Sequence, residues 1–123
     1  YIPALDMIKM PPFRAFESSE AYYSTILHEV SHWSGSSKRL DRLKSTDKRH
    51  HEYHFEELVA EISACFLCSD LEITASVRPE SASYLASWLA VMKQDKRAIF
   101  RAASKAQAAA DYLHSLQEKR AAA

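Results

Sequence analysis

The chain has 123 residues, of which 47% are hydrophobic and 26% charged, and its 16 basic and 16 acidic side chains cancel. This composition is typical of a folded globular protein and excludes a disordered chain, and the length fits one domain over residues 1–123. The balanced charge provides no general attraction to nucleic acid or to a membrane. No apolar run approaches the roughly 20 residues of a membrane-spanning helix.

The opening residues, YIPALDMIKMPP, contain no initiator methionine and lack the basic start and apolar stretch of a signal peptide. We therefore expect a piece of a longer, cytoplasmic protein. Cys65 and Cys68 lie three positions apart in an apolar helical pattern, where they are poorly placed to pair. A C-x-x-C can hold zinc or do redox chemistry, but no second one is present. Reduced core thiols of an intracellular protein are therefore predicted.

The N-terminal segment and the first helix have different signatures. Met7 to Met10, bounded by prolines, predict a short β edge strand. Ser18 or Ser19 offers an N-cap for a helix that runs to about Trp33. Gly35, the only glycine of the chain, is expected to end this helix in the left-handed conformation.

Three further helices are predicted, over residues 53–70, after Pro79 and from near Asp95, with a polar connection at 36–52 and a fraying tail at 119–123. The fold class is therefore mainly α (α+β), a helical domain with a short N-terminal β edge. The predicted core faces of the four helices, in chain order, are Tyr23, Ile26, Val30 and Trp33; Phe55, Leu58, Val59, Ile62 and Phe66; Tyr84, Leu85, Trp88, Leu89 and Met92; and Ile99, Phe100, Ala103, Tyr112, Leu113 and Leu116.

The stretch LHEVSHWSG contains two histidines four positions apart. On a helix that advances about 100° per residue, His28 and His32 point the same way, as two imidazoles must to reach one zinc ion at about 2.0–2.1 Å. The predicted core stripe faces elsewhere, which argues against histidines that only fill the core. Glu29 can flank the ion without binding it and take a proton from a zinc-bound water. The H-E-x-x-H pattern thus predicts a ligand pair and a base.

A third ligand is needed, because hydrolytic zinc sites usually combine three protein ligands with one open position. The extended motif with a third histidine is excluded, since Lys38 occupies that position and an ammonium cannot bind a metal. The stretch FEELVAEISACF instead places Glu57 and Glu61 one helical turn apart. This arrangement resembles the gluzincins, which implies that Glu57 binds zinc and Glu61 orients a histidine, although the two can exchange roles. Glu56 points elsewhere and is expected in solvent.

Several other polar residues have both a functional and a plain structural interpretation. Tyr53 is a candidate donor to a developing oxyanion, and His54, with His50 and His51, is a candidate contact to the metal or the substrate. An ordinary polar loop explains the same residues.

The segment 38–51 contains Lys38, Arg39, Arg42, Lys44, Lys48 and Arg49. These side chains could touch phosphates, but no aromatic residues interleave for base stacking, so a solvated basic loop is favoured.

Beyond the motif, the chain resembles the C-terminal zincin-like metallopeptidase domain of ArdC-type antirestriction proteins and related TraC-type conjugative primases. The resemblance covers YIPALDMIKMP, YYSTILHEVSHWSGSSKRLDR, FEELVAEISACFLC and YLASWLAVMKQDKRAIFRAASKAQAAADYL. The last stretch contains no obvious chemistry, so it is a fingerprint of this family rather than of zincins at large.

The resemblance implies a helical zincin-like domain with one bound Zn²⁺, following an N-terminal domain that binds single-stranded DNA. It also implies a bacterial plasmid or phage protein, delivered into a recipient cell, that protects incoming DNA from restriction. The strand around Met7 to Met10 would then border the cleft and pair with an extended peptide.

Two functions are compatible with these features. In the first, His28, His32 and Glu57 hold zinc and Glu29 activates water against a peptide or protein substrate, such as a restriction-system component. In the second, the domain is a non-catalytic module that binds DNA or a restriction enzyme, and the metal is structural. Manganese or cobalt would suit the same ligands.

Overall fold

The computed structural model describes residues 1–75 and 79–117, and four helices form within them: α1 (Ser19–Ser34), α2 (His51–Asp70), α3 (Pro79–Gln94) and α4 (Ala98–Ser115). Two short 3₁₀ turns, Pro3–Leu5 and Phe13–Ala15, precede α1. The mainly helical class is confirmed. The tail predicted to fray, 119–123, lies outside the described residues.

The predicted β edge is wrong, since the described part of the chain contains no strand. Met7 forms only an isolated antiparallel bridge with Ile2, whose N–H donates to the Met7 carbonyl at 2.8 Å. The chain reverses direction within six residues around the first 3₁₀ turn, which leaves no length for a ladder. Pro11 and Pro12 follow and have no N–H to extend one.

Helix α1 begins where the sequence predicts, but the glycine at its end has a different role from the one expected. Ser18 is the N-cap, and its hydroxyl accepts a hydrogen bond from the N–H of Ala21 at 3.0 Å. Gly35 has φ −86°, so the expected left-handed conformation is not adopted. A Cβ at Gly35 would instead lie 2.8 Å from Nη2 of Arg42. Glycine therefore leaves space for an arginine here and does not supply a left-handed backbone.

Helix α2 lies at the centre of the fold and packs against the other three helices. One apolar cluster lies between α2, α3 and α4, and a second lies where α1, α2 and α4 meet. The buried members are Leu58, Val59, Trp88, Ala102 and Ala106 in the first cluster, and Leu67, Ala110 and Leu113 in the second.

The inner face of α4 is built from alanines, which corrects the predicted core face. Phe100 is 74% exposed, and Ile99 and Leu116 are also exposed, so only Leu113 of the predicted buried set is fully inside. Small side chains let α4 approach α2 closely, and the bulky residues then face outward. Other predicted core residues that prove to be exposed are Tyr23, Leu85 and Leu89. Of the predicted core thiols, Cys68 is buried and Cys65 exposed.

None of the helices of the described residues combines the length and the apolar character that crossing a membrane requires.

Candidate metal centre

Helices α1 and α2 bring two imidazoles and a carboxylate to one point. Nε2 of His32 lies 3.1 Å from Nε2 of His28 and 3.2 Å from Oε1 of Glu57, and Nε2 of His28 lies 3.5 Å from Oε2 of Glu57. One possible ligand atom from each residue lies within 4.8 Å of the other two. This donor set suits zinc and other divalent ions, so these residues could hold one.

The three side chains are buried between the two helices. His28 is 1% exposed, and its position on α1 is separate from that of Val30 and Trp33, which pack on the cluster of Leu67 and Leu113. The histidines are thus interior residues of a polar interface, and the separate apolar face of α1 packs elsewhere.

A second layer of carboxylates contacts the outer nitrogens of both rings. Nδ1 of His28 lies 3.3 Å from Oε2 of Glu61, and Nδ1 of His32 lies 3.3 Å from Oε1 of Glu56. Glu61 therefore stands behind His28 rather than among the converging ligand atoms. A carboxylate in this position fixes which ring nitrogen carries the proton.

The prediction that Glu56 is solvated is wrong. Glu56 is 7% exposed and accepts hydrogen bonds from Nε and Nη2 of Arg42 at 3.0 and 2.9 Å. Arg42 is itself buried, so it is not part of a solvated basic loop. The only signal in the sequence is that Glu56, with Glu57, stands between the apolar residues Phe55 and Leu58. Helical spacing alone could not pair it with a residue of the preceding loop.

Charge in this interior is balanced by close pairing. Burial lowers the pKa of His32, but hydrogen bonds to Glu56 and Glu57 outweigh that effect and raise it to about 9. Burial disfavours the charged form of Glu57, yet His28 and His32 hold its pKa well below the ordinary value. The pKa of Glu56 is also lowered, despite burial, by His32 and Arg42. The charged carboxylates therefore pair with a protonated His32, and a metal ion at this point would displace the proton from His32.

The converging residues form one wall of a cavity of about 380 Å³. Glu29 lines the same cavity. The candidate base and the candidate ligands therefore line one cavity.

Of the two predicted substrate contacts, the structure brings only Tyr53 to this cavity. Tyr53 lines it together with Tyr84 of α3, and their hydroxyl oxygens are 3.3 Å apart. Burial and the Tyr84 hydroxyl raise the pKa of Tyr53, so its hydroxyl stays protonated and can donate. Tyr84 was predicted as a core residue, and no motif marks it as part of the site.

His54 does not line the cavity, and it contributes a helix contact instead. Its carbonyl accepts a hydrogen bond from Nε1 of Trp88 at 2.9 Å, which ties α2 to α3. His50 caps α2 by accepting from the N–H of Glu52 at 3.2 Å, and His51 is exposed. None of these three histidines lines the cavity: His50 caps α2, His51 is exposed, and His54 contacts α3 through its carbonyl.

Comparison with known proteins agrees with this geometry. The family model of the zincin-like metallopeptidases matches residues 1–105 of the chain. The chain belongs to this family.

Individual relatives also match. The chain is 44% identical over 117 residues to the uncharacterized protein y4eC of Sinorhizobium fredii, covering 95% of the chain and 38% of that relative. It is 36% identical over 119 residues to a DNA primase TraC of Escherichia coli, covering 97% of the chain and 11% of the primase.

Solved structures also match the chain. The antirestriction protein ArdC from plasmid R388 is 47% identical, with TM-scores of 0.84 for its Mn(II)-bound structure and 0.83 for its metal-free structure. The match covers 94% of the chain and 43% or 41% of ArdC. The expected resemblance to ArdC-type and TraC-type proteins is confirmed. The chain spans less than half the length of each of these relatives.

A second arginine of the segment 38–51, Arg39, is also held by contacts within the fold. Arg39 lies 3.8 Å from the centre of the Trp33 ring and donates to the Trp33 carbonyl at 2.6 Å. It also binds Asp6, whose Oδ1 accepts from the Tyr1 hydroxyl at 2.7 Å. Lys48 of the same segment lines the cavity. The segment therefore anchors the N-terminal residues and borders the site.

Proposed function

We propose that this chain is a metal-dependent peptidase domain in which His28, His32 and Glu57 hold one Zn²⁺. The observation that supports this most is the convergence of the three side chains, with ligand atoms within 4.8 Å, on the wall of a cavity of about 380 Å³. The Mn(II)-bound form of ArdC, 47% identical, supports a divalent ion.

The residues of the chain have separate roles in this mechanism. The ion, when bound, supplies Lewis-acid polarisation and lowers the pKa of water. Glu29 takes a proton from the attacking water and later transfers it to the leaving amine. Tyr53, which is protonated, donates a hydrogen bond to the oxyanion that develops on the substrate carbonyl. Because residues 7–10 form no strand, peptide recognition is assigned to the cavity walls rather than to strand pairing.

The test is the substitution Glu29→Gln, which keeps the size of the side chain but removes its basicity. Peptide hydrolysis should fall by at least about 100-fold, the usual contribution of a general base. Bound zinc, measured by atomic emission, should remain stoichiometric. Glu20→Gln, on an exposed position of the same helix, is the matched control and should keep full activity. Full cleavage by the Glu29→Gln protein would show that the base is another group.

We extend the proposal to the whole protein, because ArdC is named as an antirestriction protein and TraC as a DNA primase. The domain would act in the bacterial cytoplasm against a protein of the restriction system, and a further domain would contact single-stranded DNA. Antirestriction by the Glu29→Gln protein separates this from a binding module with a structural metal. Loss of protection supports the peptidase, and retained protection supports the module.

A further inference from the structure

The buried pair of Glu56 and Arg42 stands directly behind the candidate metal centre. Arg42 approaches Glu56 with two nitrogens, Nε to Oε2 at 3.0 Å and Nη2 to Oε1 at 2.9 Å. The side chains of Arg42 and Glu56 are only 4% and 9% exposed. A planar fork that binds both oxygens fixes the rotation of the carboxylate as well as its position.

The same carboxylate contacts His32. Oε1 of Glu56 lies 3.3 Å from Nδ1 of His32, while Nε2 of His32 faces Glu57 and His28. When Nδ1 carries the proton and donates it to Glu56, the lone pair of Nε2 is directed at the centre. Because Arg42 engages both oxygens, Glu56 cannot turn toward the centre and act as an additional ligand.

Arg42 is held by the end of α1 that carries His32. Nη2 donates to the Ser31 carbonyl at 2.6 Å, and Nη1 donates to the Ser34 hydroxyl at 3.1 Å. The missing Cβ of Gly35 leaves room for the guanidinium, and Asp41, with φ 48°, turns the chain back so that Arg42 points inward. Arg42 therefore joins the end of α1 to Glu56 of α2.

From these contacts we propose that Glu56 and Arg42 are positioning residues for the metal, which orient His32 as Glu61 orients His28. The inference rests on the proposed function, since it assigns the centre to a metal ion. It adds a relay from the loop to the ligand: Arg42 fixes Glu56, and Glu56 fixes the proton and the ring orientation of His32.

The test measures zinc affinity of the full chain by competition with a chelator. Substitution of a carboxylate behind a ligand histidine typically weakens metal binding by about 10–100-fold, and we expect this for Glu56→Gln. Long-range proton–nitrogen NMR of the zinc-loaded chain should show a shifted His32 Nδ1–H signal in this variant. The His28 signal should remain in place, because Glu61 is unchanged.

Arg42→Lys is the milder second variant, which decides the question if Glu56→Gln does not fold. It keeps the charge but loses the two-nitrogen contact, and zinc affinity should fall. Arg39→Lys is the matched control, because Arg39 is on the same loop, pairs with Asp6 and donates to a carbonyl of α1. Its zinc affinity and both histidine signals should equal those of the unaltered chain.

Three results would overturn the proposal. The first is unchanged zinc affinity in a folded Glu56→Gln chain, and the second is an unmoved His32 signal. The third is an equal loss of affinity in the Arg39→Lys and Arg42→Lys chains, which would indicate a general effect of the loop. An unaltered chain that binds no divalent ion would overturn the proposed function as well. Normal zinc binding without peptide hydrolysis would overturn only the peptidase activity.

Discussion

The interior between α1 and α2 differs sharply from the interior between α2 and α4. The first contains buried polar side chains, among them His28, Ser31, Glu56, Glu57 and Ser63. The second is lined by small apolar side chains of α4, which are fully buried. They belong to Ala102, Ala106, Ala109 and Ala110. One molecule of 123 residues thus combines a polar interior that holds the candidate centre with an apolar interior that supports it.

The difference shows that the two interiors are stable for different reasons. A buried polar group costs free energy unless it is paired, and the polar interior meets this condition with short contacts such as Ser31 Oγ to Ser63 Oγ at 2.9 Å. The alanine-lined interior depends on close approach of the helices and on the absence of spare volume. The first should therefore be sensitive to loss of a partner and the second to added atoms.

The largest effect is expected from Arg42→Met, which breaks the polar interior. Removing one partner of a buried ion pair typically costs about 3–5 kcal/mol, and here Glu56 would keep only its contact to His32. The free energy of unfolding, measured with denaturant on the metal-free chain, should fall by that amount. The double variant Arg42→Met, Glu56→Leu removes both charges and should recover part of the loss. A double variant less stable than the single one would contradict the account of an unpaired charge.

A smaller effect is expected from Ala106→Leu, which overfills the alanine-lined interior. Ala106 is fully buried against Leu58, Val59 and Trp88, so added methylenes should cost about 1–3 kcal/mol. Thermal or denaturant unfolding measures the loss. On the outer face of the same helix, Phe100→Ala should change stability by no more than about 0.5 kcal/mol. A large loss for Phe100→Ala would show that the outward face of α4 is wrongly described.

The smallest effect concerns Asp6 and Arg39, a partly exposed counterpart of the Glu56–Arg42 pair. Hydrogen bonds from Arg39 and then Tyr1 lower the pKa of Asp6 from 3.8 to about 2. Because the pKa is lowered in the folded chain, the ionised carboxylate stabilises the fold at pH values above its unfolded pKa of 3.8. This stabilisation is lost as the pH falls toward about 2. Asp6→Asn should therefore be less stable than the unaltered chain near neutral pH and approach it in acid. Denaturant unfolding at several pH values checks this, and a difference that is independent of pH would contradict it.

The helices could be predicted because their signals are local. Ser18 as N-cap, Pro79 at a helix start and the apolar spacing of α2 each act within a few residues. The predicted β edge failed because a strand needs a partner, and neighbouring residues do not reveal whether one is present. The predicted core face of α4 was wrong because large apolar residues were expected to point inward. In the structure, most of the side chains of α4 that pack against α2 are alanines.

The candidate site, like the fold, could be predicted only where its signals are local. The spacing of His28 and His32 and the pair Glu57 and Glu61 indicate the two helix faces that meet at the site, because each spacing is a property of a single helix. Which carboxylate faces which nitrogen depends on how α1 and α2 cross. Glu56 was misplaced for this reason, since its partner Arg42 comes from a loop of no regular period.

By itself, then, the sequence determined the four helices and the candidate metal ligands, since these depend on spacing along one chain segment, and its resemblance to known proteins indicated the family. Tertiary structure alone decided that Gly35 makes room for an arginine, that Glu56 is buried behind His32, and that Tyr84 joins Tyr53 at the cavity. Such contacts join separate segments of the chain, and their geometry exists only once the helices have packed.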